Sequence, residues 1–190
     1  MQILEPAPAS SSRRLGYDTI LPLPPRLLAA IAVDYARSAP FEMLAVPGPG
    51  ERGSIRVRLN ATHDIWLIRW GAGSRTVMHD HGGSAGALYL VEGALVEGAL
   101  VERRPGPSGR GRLVQHRLQT LDHRTMPATH VHEVVNESDA AAASIHVYSP
   151  PLTAMHHYES TADSAFRVMH REHVGLATLI ANGTREGAND

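Results

Sequence analysis

Two histidines one residue apart, within the stretch MHDHGGSAGALYLVEG at residues 78–93, are the first groups in this chain that could do chemistry. In a β-strand, residues i and i+2 point to the same face about 7 Å apart. His79 and His81 can therefore converge on one metal ion while Asp80 points away. An isolated pair of this kind could equally line the exposed face of a strand, so the rest of the sequence has to decide.

The composition limits the chemistry and the partners. The chain has 190 residues, with 12 histidines and no cysteine, which excludes disulfides, thiolate metal ligands and a cysteine nucleophile. A transition metal would be held by histidine or carboxylate. The 18 Lys+Arg and 19 Asp+Glu nearly cancel, without long runs of like charge. Neither nucleic acid nor a membrane is therefore expected as a partner.

The elements that must position the histidines are mostly short strands in one domain. The sequence predicts a flexible arm at residues 1–17 and a single domain, beginning with a helix, at residues 18–175. It predicts a disordered tail at residues 176–190. The helix is predicted in PPRLLAAIAVDYARSA. The later runs have alternating or continuous apolar character and indicate an all-β sandwich or small barrel; they include SIRVRLN, DIWLIRW, TVMHDH, GALYLVEG, HEVVN and ASIHVYS.

The stretch VEGALVEGALVE predicts two strand segments around a turn at Glu92 and Gly93. The N-terminus lacks a signal-peptide pattern, and no run approaches the 18 uninterrupted apolar residues of a membrane span. A cytoplasmic protein is the default expectation.

The spacing around the histidines resembles the two motifs of the cupin superfamily, G-x5-H-x-H-x3-4-E-x6-G and G-x5-P-x-G-x2-H-x3-N. The positions that carry the match are Gly73, His79, His81, Gly93, Pro127, His132 and Asn136. The resemblance implies a jelly-roll small β-barrel with the histidines in its mouth. It selects His132 rather than His130 as the third metal ligand. Gly86 replaces the motif glutamate, which leaves three histidines and no carboxylate, and Leu121 and Thr129 replace two motif glycines.

Within the cupins, residues 55–160 resemble cysteine dioxygenase through HDHGGSAGA, the pair Trp70-Gly71, HEVVN and SIHVYSPPLTAM. The resemblance implies a non-haem Fe(II) thiol dioxygenase of cysteine catabolism, in which a three-histidine Fe(2+) is chelated by L-cysteine. O2 then oxidises the thiol to cysteine sulfinate. The expected partners are a small thiol and O2, and a monomer is compatible with the sequence.

The alternating residues Ser144, His146 and Tyr148 lie on one strand face, which in an ordinary strand would face water. The resemblance instead makes them a catalytic relay that aims the Tyr148 hydroxyl at the substrate. In eukaryotic members this tyrosine is cross-linked to a cysteine. The matching position here is Gly86, so Tyr148 would act unmodified, as in the bacterial variant.

Arg56 and Arg58 in SIRVRLN are predicted to share a strand face. The resemblance places Arg58 at the substrate carboxylate and Trp70 in the substrate site. An arginine there favours cysteine over 3-mercaptopropionate, whose dioxygenases carry glutamine. The resemblance also implies a cis bond between Ser149 and Pro150.

Other functions stay open at this point. The run GGSAG lacks the GK[ST] ending and the helix of a phosphate loop. A zinc hydrolase could use three histidines, although the sequence does not identify its general base. A related thiol dioxygenase could act on 3-mercaptopropionate or another small thiol. A non-enzymatic cupin could bind a metal or a ligand as a sensor.

Overall fold

The computed structural model describes residues 21–101, 109–160, 165–175 and 179–182. The predicted arm at residues 1–17 lies outside the described residues. The predicted helix is α1 (Pro25–Tyr35), which begins directly after Pro24; proline suits a first turn because its missing N–H has no intrahelical partner there. Two short 3-10 helices follow, Ala36–Ser38 and Phe41–Met43. No described helix is long and apolar enough to cross a membrane.

The described residues form twelve strands. They are β1 (Arg52–Leu59), β2 (Asp64–Trp70), β3 (Ala85–Glu92), β4 (Ala94–Val101), β5 (Gly109–Arg110), β6 (Arg112–Gln119), β7 (His123–Met126), β8 (His132–Val135), β9 (Ala142–Ser149), β10 (Ala154–Ser160), β11 (Ala165–His173) and β12 (Leu179–Asn182). The predicted turn joins β3 to β4 at Gly93, whose φ of 86° suits glycine. The sequence predicted no element in the tail, whereas β12 pairs with the start of β1.

These strands assemble into three antiparallel sheets. One has the order β12-β1-β2-β9-β3-β7, the second β6-β4-β8 and the third β10-β11-β5. The predicted all-β, jelly-roll class with a short N-terminal helical segment is confirmed. Within the described part of the chain, the sheets do not close into one continuous hydrogen-bonded barrel.

The central strands β2, β3 and β9 of the six-stranded sheet are buried on both faces, and this determines where the polar residues of β9 point. Its outer face packs on α1 and includes Ile145 and Val147. Its inner face packs towards the other sheets and includes Trp70 and Tyr148. Side chains alternate between the two faces of a strand. Because Ile145 and Val147 of β9 pack against α1, the polar residues that alternate with them point into the interior.

Candidate metal centre

The three histidines predicted as ligands come together. His79 and His132 are held by a pair of backbone hydrogen bonds, in which each N–H donates to the other's carbonyl at 2.8 and 2.9 Å. One ring nitrogen from each of His79, His81 and His132 lies within 4.8 Å of the others, and all three residues are buried. After His81 the chain turns at Gly82, whose φ is 59° and where a Cβ would lie 2.6 Å from the Ala154 carbonyl oxygen. The glycine run therefore turns the chain.

The donor set fits a divalent transition metal. Burial lowers the pKa values of His79 and His81 well below that of a free histidine, and the nearby His132 lowers them further. Burial also lowers the pKa of His132. The three imidazoles are therefore neutral near pH 7, which is the form that binds metals. The Nε2 atoms of His81 and His132 are 3.3 Å apart. Two nitrogens about 2.1 Å from one ion lie roughly 3.0 to 3.4 Å apart at octahedral to tetrahedral angles.

Hydrogen bonds fix the orientation of two of these rings. His79 Nδ1 donates to the Val77 carbonyl oxygen at 2.8 Å. His132 Nδ1 donates to Glu97 Oε1 at 2.9 Å. With Nδ1 protonated, each Nε2 keeps its lone pair for a metal. His81 Nδ1 has no hydrogen-bond partner among the described residues.

A second group of side chains lies behind His132 and is centred on Glu97. His130 Nε2 donates to Glu97 Oε1, and Arg124 Nε donates to Glu97 Oε2, both at 2.9 Å. Burial alone would raise the pKa of Glu97, but the hydrogen bonds from His130 and His132 outweigh it and hold that pKa well below its usual value. His130 thus lies behind the third ligand, in contact with the same carboxylate.

The residues of the predicted relay form a continuous hydrogen-bonded chain. Trp70 Nε1 donates to Ser144 Oγ at 2.9 Å, Ser144 Oγ contacts His146 Nε2 at 3.0 Å, and His146 Nδ1 contacts the Tyr148 hydroxyl at 3.0 Å. Burial lowers the pKa of His146 to about 3, so its ring is neutral. Burial, together with Asp64, raises the pKa of Tyr148, so the phenol keeps its proton.

Tyr148 lies between the metal ligands and Gly86. Its ring centroid is 4.7 Å from that of His81, and Gly86 is its direct partner across β3 and β9. A Cβ at Gly86 would lie 2.9 Å from both Tyr148 Cδ1 and Met126 Cε. A side chain at this position would therefore press on the phenol ring.

The prediction that Arg56 and Arg58 share a strand face is wrong. Strand β1 contains an irregularity between them, so that Arg56 pairs with Trp66 while Arg58 pairs with the adjacent Ile65. An extra residue in a strand shifts its period-two alternation, and Arg58 therefore faces outwards. Its guanidinium carbon lies 5.5 Å from the ring centroid of Tyr35 in α1, away from the three histidines.

Arg52 is the arginine of β1 that faces the cavity beside the metal centre. That cavity has a volume of about 120 Å³, and its lining includes Arg52, His79, His132 and Tyr148. The Arg52 guanidinium carbon lies 5.6 Å from the Trp70 ring centroid. Burial lowers the pKa of Arg52, with Tyr148 and Glu172 opposing that effect.

The sequence alone does not indicate that Arg52, Trp66 and Glu172 line the cavity. Arg52 precedes SIRVRLN, the run that predicts a strand, although Arg52, Ser54 and Arg56 alternate at strand spacing. Trp66 also lines the cavity, and Glu172 reaches it from β11. Outside the cavity, Glu97 could have been noticed as a charge in the middle of an apolar strand, because buried carboxylates are rare unless they are paired.

An antiparallel jelly roll that gathers three buried histidines beside a small cavity defines the metal-binding cupin class. The family model for cysteine dioxygenase type I matches residues 27–161. The chain therefore belongs to the cysteine dioxygenase type I family. The match begins within α1 and ends just beyond β10.

Solved structures with a similar chain path include a protein from Thermus thermophilus, with 24% identity and a TM-score of 0.47 over 58% of this chain and 94% of that one. A cupin-superfamily sugar phosphate isomerase from Silicibacter pomeroyi is 21% identical, with a TM-score of 0.44 over 66% of this chain and 84% of that one. A double-stranded β-helix protein from Klebsiella pneumoniae is 13% identical, with a TM-score of 0.47 over 70% and 97%. No curated protein sequence matches the chain.

Proposed function

We propose that this protein is a non-haem Fe(II) thiol dioxygenase that oxidises a small carboxylate-bearing thiol, with L-cysteine as the preferred substrate, to its sulfinate. The observation that carries the proposal is that two of the three histidines, His79 and His132, line one small cavity together with Tyr148 and Arg52. These groups provide contacts for a metal ion, a reacting sulfur or oxygen, and a carboxylate. Membership of the cysteine dioxygenase type I family supports the reaction type.

The donor set suits this chemistry. Three neutral imidazoles, those of His79, His81 and His132, would hold a ferrous ion without neutralising its charge, which would favour an anionic thiolate. When bound, iron supplies the electron transfer that brings the thiolate and O2 together. The overall reaction, RSH + O2 → RSO2H, breaks the O–O bond and forms two S–O bonds. Sulfur loses four electrons and O2 gains them, so the reaction needs no external reductant.

The side chains of the cavity bind and orient the substrate. Arg52 offers a planar pair of donors that suits a carboxylate, and we assign it the role that the family resemblance implies for Arg58. Tyr148 donates its hydroxyl proton to the reacting group, since a phenol with a raised pKa stays protonated. Apolar lining residues, among them Ile68 and Leu152, exclude water from the cavity.

The activity is tested by loading the protein with Fe(II) without oxygen and then adding cysteine, 3-mercaptopropionate or cysteamine with O2. With cysteine we expect O2 uptake, measured with an oxygen electrode. We also expect an equal amount of sulfinate, measured by mass spectrometry. If iron is bound and no thiol stimulates O2 uptake, the protein is not a thiol dioxygenase. A metal-binding cupin without this activity would then be the better description.

The role of Arg52 is tested by Arg52→Gln, with Arg58→Gln as the matched control from the same strand. A hydrogen bond to a charged group contributes about 1.5–3 kcal/mol, so we expect the KM for cysteine and 3-mercaptopropionate to rise about 10- to 150-fold. Cysteamine has no carboxylate, and its KM should not change. An equal effect on all three thiols, or the larger effect from Arg58→Gln, would contradict the assignment.

A further inference from the structure

A buried carboxylate lies directly behind one of the three candidate metal ligands. The side chain of Glu97, on β4, is 1% exposed. Its Oε1 accepts hydrogen bonds from His132 Nδ1 and His130 Nε2, and its Oε2 accepts one from Arg124 Nε. An ionised carboxylate only accepts hydrogen bonds, so Glu97 holds His132 with its proton on Nδ1 and its Nε2 lone pair directed towards His81.

Burying a carboxylate costs several kcal/mol unless its partners compensate. Here the partners are two imidazole N–H groups and the guanidinium of Arg124, a side chain that is 33% exposed. The charge lies one imidazole ring away from a site that has no carboxylate of its own, because Gly86 occupies the motif position of the missing glutamate. A divalent ion held by three neutral imidazoles gains from a negative charge at that distance.

We propose that Glu97 is a positioning residue of the metal centre, which orients His132 and supplies through that ring the negative charge that no direct ligand provides. This inference rests on the proposed metal centre but does not depend on which thiol, if any, is oxidised. Arg124 and His130 keep the carboxylate in place, since each binds one of its two oxygens.

Glu97, His130 and His132 are also close enough to form a second candidate ligand group. Their contacts favour a hydrogen-bonded network instead. Glu97 Oε1 is shared by two imidazole N–H groups, and Glu97 Oε2 is engaged by a guanidinium. A cation bound to Glu97 would have to displace these donors and lie close to the Arg124 charge.

The inference is tested by Glu97→Gln, which keeps the shape of the side chain and removes its charge. The matched control is Glu133→Gln on the paired strand β8, next to His132 in sequence but outside this network. The affinity for Co(II) and for Fe(II) is measured without thiol or oxygen, by competition with a chelating dye. We expect the affinity of Glu97→Gln to fall 10- to 100-fold and that of Glu133→Gln to stay within twofold of the unsubstituted protein.

Two further measurements separate positioning from a purely structural role. The visible spectrum of bound Co(II) should change in Glu97→Gln and not in Glu133→Gln, because it reports the ligand field. The ¹⁵N shifts of the metal-free protein should show His132 with its proton on Nδ1. Glu97→Asp keeps the charge but cannot reach His132, so its affinity should also fall at least tenfold, and this variant serves if Glu97→Gln does not fold.

A folded Glu97→Gln or Glu97→Asp protein that binds Co(II) within twofold of the unsubstituted protein, with an unchanged spectrum, would overturn the inference. So would an equal loss of affinity in Glu133→Gln. These results are independent of thiol oxidation. Weak metal binding by the unsubstituted protein itself would instead contradict the metal centre and, with it, the proposed function.

Discussion

The hydrogen-bonded chain that ends at Tyr148 has a direction, and Trp70 sets it. An indole N–H can only donate, so Ser144 Oγ accepts from Trp70 Nε1 at 2.9 Å. The Ser144 proton then points to His146 Nε2, which leaves His146 Nδ1 protonated and donating to the Tyr148 oxygen. The Tyr148 proton is thereby left to point into the cavity. We predict that Trp70→Phe weakens catalysis by removing this bias, although Trp70 lies three hydrogen bonds away from the Tyr148 hydroxyl.

The size of the effect follows from the one bond that is lost. A neutral hydrogen bond contributes about 0.5–1.5 kcal/mol, so kcat should fall roughly 2- to 12-fold. Trp66→Phe is the matched control, because Trp66 also lines the cavity and donates to Asp64 Oδ2 at 3.0 Å, outside the relay. Steady-state O2 uptake, with thermal unfolding measured on each variant, separates catalysis from stability.

A double-mutant cycle with Tyr148→Phe provides the decisive comparison. Tyr148→Phe alone should lower kcat about 10- to 150-fold, since the hydroxyl donates to a charged group. If Trp70 acts through Tyr148, then Trp70→Phe should change kcat by less than about twofold in the Tyr148→Phe protein. Independent, multiplicative effects of the two substitutions would refute the reasoning, and so would an equal loss from Trp66→Phe.

Three other predictions concern the metal and the stability of the fold. His132→Ala should lose bound iron while His130→Ala retains most of it, measured as metal content after gel filtration; equal losses would mean that the third ligand is assigned wrongly. Leu121 is 68% exposed and has a φ of 76°, a conformation that costs a side chain about 1–2 kcal/mol. Leu121→Gly should therefore raise the free energy of unfolding by up to about 1 kcal/mol in denaturant titrations, and a decrease would contradict this. Burial raises the pKa of Asp64 to about 6, so the folded state holds this proton more tightly than the unfolded state does. The free energy of unfolding therefore falls by up to about 3 kcal/mol as the pH rises from about 4 to 6. The unfolding free energy of Asp64→Asn relative to the unsubstituted protein should rise over that interval, and a constant difference would show that Asp64 does not titrate there.

The sequence by itself predicted the parts of this protein that depend on local spacing. The helix after Pro24 and the alternation in SIHVYS are short-range patterns, and the structure contains both. His79 and His81 do converge, but the strand expected to carry them is not formed: His79 lies in an isolated β-bridge and His81 lies outside the named strands. The cis bond between Ser149 and Pro150, expected from the family resemblance, is also present. Leu121, which replaces a motif glycine, has a φ of 76°, a feature that the sequence did not predict. The helix and the strand alternation were predictable because each one is determined by a few consecutive residues, whereas the cis bond was expected only from the family resemblance.

Only the tertiary structure decided which arginine faces the cavity and what supports the third histidine. One irregularity in β1 reverses the face of Arg58, and the pairing with β2 determines where that irregularity falls. Glu97 and His132 are 35 residues apart, and they meet because β4 pairs with β8. Burial likewise depends on the helix that covers the outer face of β9. Contacts between strands distant in sequence leave little signal in any single segment, because a strand's side-chain period does not reveal its partner or its register.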